Sequence, residues 1–299
     1  MSSMLIVSSL QQGLLYAIMA MGIYITFRIL NIPDLTVDGS FTFGMACAAV
    51  VTIKGHPLLA IAAAAAAGAI AGIITGLLQT KVRIHPILSG ILVMTGLYTI
   101  NLAVMGGKSN LSVAGKQTLF TKMEAHIVTS YGLGKTLLAF AACVGTAVVL
   151  TIIFKTKTGL AIRATGDNEE MVRSSSINAN ITKIIGLALG NACVAIAGAL
   201  VSQYQMFSDV NSGSGMVVIG LASVIIGEAV LGKRSVALGF IAAIAGSVIY
   251  QFIKAYALAK NIFPPYAFKL VSAAIVAVAL SIPTITASMK QYKLRKGAK

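Results

Sequence analysis

Residues 57–80 read PLLAIAAAAAAGAIAGIITGLLQT, a run without a charge in which Thr75, Gln79 and Thr80 are the polar side chains. A helix needs about 20 apolar residues to cross the hydrocarbon core of a bilayer, and this run supplies them. Ala, Leu, Ile and Gly follow one another here without the in-and-out alternation of a barrel wall, so the stretch reads as a helix. A helix also satisfies its own backbone donors and acceptors, which lipid cannot do. Gly68, Gly72 and Gly76 recur at every fourth position and share one face. Small residues at that spacing let a second helix approach closely, which predicts a packing role for the triplet; Gly186 and Gly190 repeat the spacing once.

Working outward, the rest of the chain has the same character. Of 299 residues, 57% are hydrophobic and 10% charged, against about 25% charged in globular chains. Too little polar surface remains to cover a water-soluble globule, and no length is left for a folded soluble domain. Apolar segments near 5–27, 38–53, 57–80, 86–106, 133–154, 181–203, 214–232, 236–256 and 265–284 predict an all-α polytopic membrane bundle of about nine helices, one transmembrane domain over 1–299. The first segment lacks a basic n-region and is longer than a signal-peptide core, so it reads as a retained helix. The second is the shortest. It follows Asn31, Pro33, Asp34 and Asp38 and is predicted to be tilted or broken and held among other helices.

The formal charge of +15 comes from 23 Lys plus Arg against 8 Asp plus Glu. A nucleic-acid surface would gather these cations on one face with stacking aromatics, whereas here they stand singly or in pairs between apolar segments. Nine crossings with the N-terminus outside and the C-terminus inside place 15 basic residues on the inner side and 8 on the outer, as the positive-inside rule requires. The chain is therefore predicted to be a multi-pass protein of the cell membrane, in contact with lipid and without a nucleic-acid partner. A basic tail at 287–299 lies inside in this topology.

Two connections exceed simple turns. The outer one, 107–132, carries Leu119, Phe120 and Met123 at the spacing of a short surface helix. The inner one, 155–180, is the most charged part of the chain. Within it Asp167 or Asn168 suits a helix cap, and Glu169 and Glu170 suit the positive first turn that follows, so a short cytoplasmic helix is predicted there.

Gly166, Asp167, Asn168, Glu169, Glu170, Arg173 and the Ile177-Asn178 pair resemble the cytoplasmic loop of ATP-binding-cassette importer permeases of the branched-chain amino acid and ribose type. Residues 30–39, LNIPDLTVDG, and the segment from Gly213 to Gly232 resemble the same family, and the likeness covers most of the chain. Ser176 departs from it, standing where the family has glycine before Ile-Asn, and Glu170-Met171 replaces a pair of small residues. The resemblance implies that 155–180 couples this chain to an ATPase. It also implies two permease copies forming a homodimer, two cytoplasmic ATPase subunits, and an extracytoplasmic solute-binding lipoprotein docking on the outer face that includes 107–132. The solute would be small and polar, an amino acid, with the aromatic ones among the candidates.

Polar side chains inside apolar segments are the candidates for the translocation path: Ser40, Thr42, Thr95, Tyr98, Asn101, Asn191 and Ser223, with the second, fourth and seventh helices preferred by the resemblance. Each has an alternative use, bonding the backbone of its own helix. No phosphate-cradling Gly-x-x-x-x-Gly-Lys-Ser/Thr segment occurs, so ATP and Mg are assigned to the partner ATPase and no cofactor to this chain. His56, His85 and His126 are far apart and Cys47, Cys143 and Cys193 lie in apolar runs, which predicts neither a metal centre nor a catalytic constellation. A self-sufficient secondary transporter or channel is the rival reading. It would place acidic groups near mid-membrane, whereas the acidic residues here gather at loops and helix ends.

Overall fold

Each apolar run up to residue 259 becomes a helix because each is long enough to close its own backbone ladder and lacks an internal proline. A computed structural model of the chain describes residues 3–126, 132–232 and 235–259, with 270, 273, 274, 276, 277 and 281. The helices are α1 (Ser3–Ile23), α2 (Thr36–Ile53), α3 (Pro57–Thr80), α4 (Pro86–Val104), α5 (Leu119–His126), α6 (Leu133–Lys155), α7 (Lys157–Asp167), α8 (Glu169–Ser174), α9 (Ala179–Gln205), α10 (Met216–Leu231) and α11 (Val236–Ala259). Among the described residues, 7 helices are long and apolar enough to cross a membrane, and α10 is a shorter apolar helix. The ninth crossing expected at 265–284 lies outside the described residues except at the positions named above, of which Val276 packs on Ala222 and Tyr250. The basic tail at 287–299 also lies outside them.

Helix α9 is the hub of the bundle. It packs against α1, α2 and α3, and Asn191, Ala195 and Ala199 are sealed from solvent along it. The glycine triplet explains how α3 comes so close. A Cβ at Gly68 would collide with the Asn191 carbonyl, one at Gly72 with the Leu187 carbonyl, and one at Gly76 would press on Ile184. Gly186 and Gly190 abut Leu30 and Thr26, so the single pair is also a packing site. Gly72→Leu is expected to force α3 off α9 and to cost about 1–3 kcal/mol, read as a lower thermal midpoint in detergent. Gly96→Leu is the matched control, since a Cβ there meets nothing, and it should leave the midpoint unchanged.

The second helix differs from expectation. It is 18 residues long and unbroken, and the irregularity lies before it. Helix α1 loosens into a π-helix over Tyr24–Ile29. Leu30 N–H then donates to the Ile25 carbonyl at 2.9 Å, and Ile32 N–H to the Thr26 carbonyl at 2.9 Å. Residues 30–35 are not helical, and Leu30, Ile32 and Asp34 are buried. Non-helical backbone survives at such depth only where protein encloses it and supplies its hydrogen bonds. Here Asp34 does so: its carboxylate accepts from Thr36 N–H at 2.9 Å and from the Asn191 side-chain amide at 2.7 Å.

A two-stranded antiparallel ladder caps one end of the bundle, β1 (Asn110–Ser112) pairing with β2 (Phe207–Asp209) in the register Leu111 opposite Ser208. Alternation over so few residues leaves no signal in the sequence. Helix α5 lies at the same end. Its Phe120 is 1% exposed and meets the Tyr204 ring edge-on at 5.4 Å, so the predicted surface helix forms with its apolar side on the bundle. The last part of the 107–132 connection, 127–131, lies outside the described residues.

Candidate functional site

At the opposite end the connection 155–180 folds into two helices, where one was predicted. Thr156 caps α7 by accepting from Gly159 N–H at 3.3 Å, which turns the stretch after α6 into helix at once. Asp167 ends α7, and Asn168 caps α8 by accepting from Met171 N–H at 3.0 Å. Glu169 and Glu170 stand in the first turn of α8, as expected, and Arg173 in its last. Asn178 caps α9, accepting from Asn180 and Ile181 N–H.

The unit is fastened to the bundle at several points. Ile162, Thr165 and Val172 are buried, and the Thr165 and Thr182 hydroxyls are 2.7 Å apart. Gly166 sits where a Cβ would strike the Ile29 carbonyl, so it seats α7 on the π-helical end of α1. Glu169 receives Lys183 Nζ at 2.5 Å and Arg173 at 2.8 Å. Asp167, Asn168, Glu170, Arg173, Ile177 and Asn178 are exposed. Met171, 53% exposed on α8, is an apolar side chain among these polar ones. Ser176 has a φ of 61°, the left-handed region that favours glycine. The family's glycine at this place fits that conformation, and the serine holds it at a cost of about 1 kcal/mol.

The Lys183 and Arg173 hydrogen bonds hold the Glu169 carboxyl below the usual glutamate range. A depressed folded value means the contact is complete above the ordinary glutamate pKa and is lost as pH falls from there through the lowered one. Hydrogen-exchange protection of α8, corrected for intrinsic rates, should therefore stay level between about pH 8 and pH 6 and fall only in more acidic solution.

Two further ties run inward. Arg28, at the end of the π-helix, pairs with Glu228 on α10 across a cavity of about 320 Å³ lined also by Tyr24, Arg163 and Asp167. In the sequence Glu228 stands near Lys233 and Arg234, which lie outside the described residues, and Asp34 and Asp38 flank the start of α2. Asp38 caps a different helix. Its carboxylate accepts from Gly215 N–H at 2.9 Å and Val217 N–H at 2.8 Å, closing the N-terminus of α10. Thr42 supports that junction by accepting from Gly213 N–H at 3.0 Å.

Beside this junction a cavity of about 300 Å³ is lined by Asp38, Gly39, Thr42, Met94, Thr95, Tyr98, Asn101, Val210, Asn211 and Ser214. It gathers Thr42, Thr95, Tyr98 and Asn101 from the path candidates. The others sit elsewhere: Asn191 donates to Asp34 and to the Leu187 carbonyl, Ser223 to the Ile219 carbonyl, and Ser40 is sealed in helix packing. Thr95 also donates to the Ile91 carbonyl at 2.8 Å, so lining the cavity and bonding its own helix are compatible.

A helical membrane bundle with two short helices at one end and a cavity at a helix junction suits many transporters, and comparison with known proteins decides among them. The model of the family described as branched-chain amino acid transport system / permease component matches residues 5–281. The chain belongs to this family. The permease is 37% identical to a tyrosine transport system permease protein of Clostridioides difficile over 96% of this chain and 94% of that one. It is 28% identical to the ribose import permease protein RbsC of Escherichia coli over 73% of this chain and 67% of that one. No solved structure matches it. The permease is thus a multi-pass cell-membrane subunit of an ATP-binding-cassette transport system for a small solute.

Proposed function

We propose that this permease imports an amino acid, with an aromatic one such as tyrosine the leading candidate, and that α7 and α8 form the lever through which a cytoplasmic ATPase drives it. The observation that carries this reading is the fastening of the lever: α7 and α8 hold to α9 and to the end of α1 by buried threonines, a glycine contact and the Glu169–Lys183 pair, while Glu170, Met171 and Arg173 project outward. A short element so anchored moves as a rigid body with the helices beneath it. The Arg28–Glu228 pair carries that motion to α10, and the Asp38 cap carries it from α10 to α2 beside the cavity. The name of the 37% identical relative supports the choice of solute.

In this reading the end bearing α7 and α8 faces the cytosol and the end bearing β1, β2 and α5 faces outward. Two copies of the chain form the path, two ATPase subunits holding ATP and Mg seat on the levers, and a solute-binding lipoprotein delivers the amino acid to the outer end. Binding by that lipoprotein supplies most of the selectivity, so the path itself needs only weak, permissive contacts. The test is uptake of labelled tyrosine into proteoliposomes holding permease, ATPase and binding protein. Accumulation that unlabelled aromatic amino acids abolish and ribose does not is the expected result; accumulation of ribose alone would overturn the choice of solute.

A further inference from the structure

Where the lever meets the rest of the bundle, the cavity of about 320 Å³ is walled by the π-helix through Tyr24 and Arg28, by α7 through Arg163 and Asp167, by α10 through Glu228, and by Ser235 just before α11. Arg28 and Glu228 answer each other across it. Arg163 and Asp167 belong to none of the ion pairs among the described residues. They stand four apart on α7 and share a face, a spacing at which opposite charges can meet, but cation before anion is the weaker order along a helix. Asp167 is also the last residue of α7, where the helix carbonyls disfavour a carboxylate, and the cap of α8 is Asn168. Helix formation therefore gives no reason for either charge, and both face one cavity beside the lever. A guanidinium presents a flat fork of donors that fits a carboxylate, and a carboxylate accepts from an ammonium. A free amino acid carries both complementary groups on one carbon. A lone anion would face Asp167 as well as Arg163, and a lone amine would face Arg163 as well as Asp167. The volume is at the small end of the range for small-molecule sites, which suits a ligand of this size.

We infer that this cavity is a cytosolic control site for a free amino acid, which binds Arg163 by its carboxylate and Asp167 by its ammonium and slows the transport cycle when solute accumulates inside. The inference rests on the amino-acid reading and on the cytosolic placement of the lever given above, and goes beyond both. An occupant touches α7 on one wall and the Arg28–Glu228 pair on the other, so it stands in the joint through which the lever moves α10. Charge pairs in a cavity open to water give weak binding, on the order of millimolar, which suits a response to accumulated product.

ATP hydrolysis by the permease–ATPase complex in nanodiscs, with no binding protein present, tests it with three probes: L-tyrosine, tyramine, which lacks the carboxylate, and 3-(4-hydroxyphenyl)propionate, which lacks the ammonium. Tyrosine should slow hydrolysis at least about twofold at millimolar concentration, and the other two should not. Arg163→Gln, at an exposed position, should keep the rate without probe and raise the tyrosine needed about tenfold. Asp167→Asn is read by binding, in saturation-transfer NMR, and should bring the propionate level with tyrosine. Equal slowing by all three probes, no slowing by tyrosine, or slowing unaltered in Arg163→Gln would overturn the site. Discs with and without phosphatidylethanolamine, whose headgroup also joins an anion to an ammonium, separate the two sources of this chemistry: slowing that needs the lipid and not tyrosine would overturn the free amino acid as occupant. Uptake of labelled tyrosine by the full system separates this claim from the choice of solute. Uptake without any Arg163-dependent slowing sinks the control site alone, and Arg163-dependent slowing without uptake of any amino acid sinks the choice of solute alone.

Discussion

Replacing Glu169, Glu170 and Arg173 together by alanine is expected to abolish solute-stimulated ATP hydrolysis and to lower transport at least about tenfold, the scale of losing a cluster of central contacts in a protein interface. The permease should still insert and purify as a monodisperse complex. Each residue contributes differently. Glu170 and Arg173 are exposed on α8 and available to a soluble partner. Glu169 is the tether, binding Lys183 on α9 and Arg173 on its own helix. Its loss removes one of the ties between the lever and the bundle even where docking persists. Lys183→Met isolates that tether: the ATPase should still co-purify while coupling weakens. Unchanged transport in the triple variant, measured in proteoliposomes with ATPase and binding protein present, would remove the lever from the mechanism.

The second large effect belongs to Asp34. Its carboxylate is 6% exposed and holds the buried, non-helical peptide before α2 by accepting from Thr36 N–H and from the Asn191 amide on α9. Asp34→Ala leaves Thr36 N–H and one of the two Asn191 amide hydrogens without an acceptor in a place closed to water, at a cost of about 3 kcal/mol, and should collapse the yield of monodisperse protein. Asp34→Asn keeps an acceptor for Thr36 N–H. The Asn191 contact alone is weakened, since the other Asn191 amide hydrogen stays on the Leu187 carbonyl and keeps the amide from turning over. That variant should retain more of the wild-type yield than Asp34→Ala. Equal losses in the two variants, compared by size-exclusion profile and thermal midpoint, would show that the negative charge itself is required.

How far the sequence alone reached follows from what sets each feature. Helices α1 to α4, α6 and α9 to α11 were legible because a bilayer span is a local property: length and apolar content suffice. The glycine triplet was legible for the same reason, its spacing placing all three residues on one face of α3. The short helix α8 was legible from Asn168, Glu169 and Glu170, but α7 before it was not, since Thr156 and Gly159 look like connection residues until the cap bond between them is seen. What was hidden depends on partners far along the chain. Asp38 lies in the first turn of α2 and reads as its cap, yet it closes α10, 177 residues away. Glu228 reads as reaching for its neighbours in sequence and instead meets Arg28, 200 residues distant. The π-helix at Tyr24–Ile29 also escaped, because its extra residue per turn leaves the apolar run unchanged.

The whole account depends on this permease having no motor of its own and answering to one through the lever. The direct measurement is the ratio of free solute inside to outside in sealed proteoliposomes, taken with the permease alone, with the ATPase and binding protein added, and again when ATP hydrolysis is blocked. The account predicts a ratio above one only when the ATPase is present and hydrolysing. A ratio above one with the permease alone, driven by an imposed proton or sodium gradient, would contradict it and make the chain a secondary transporter.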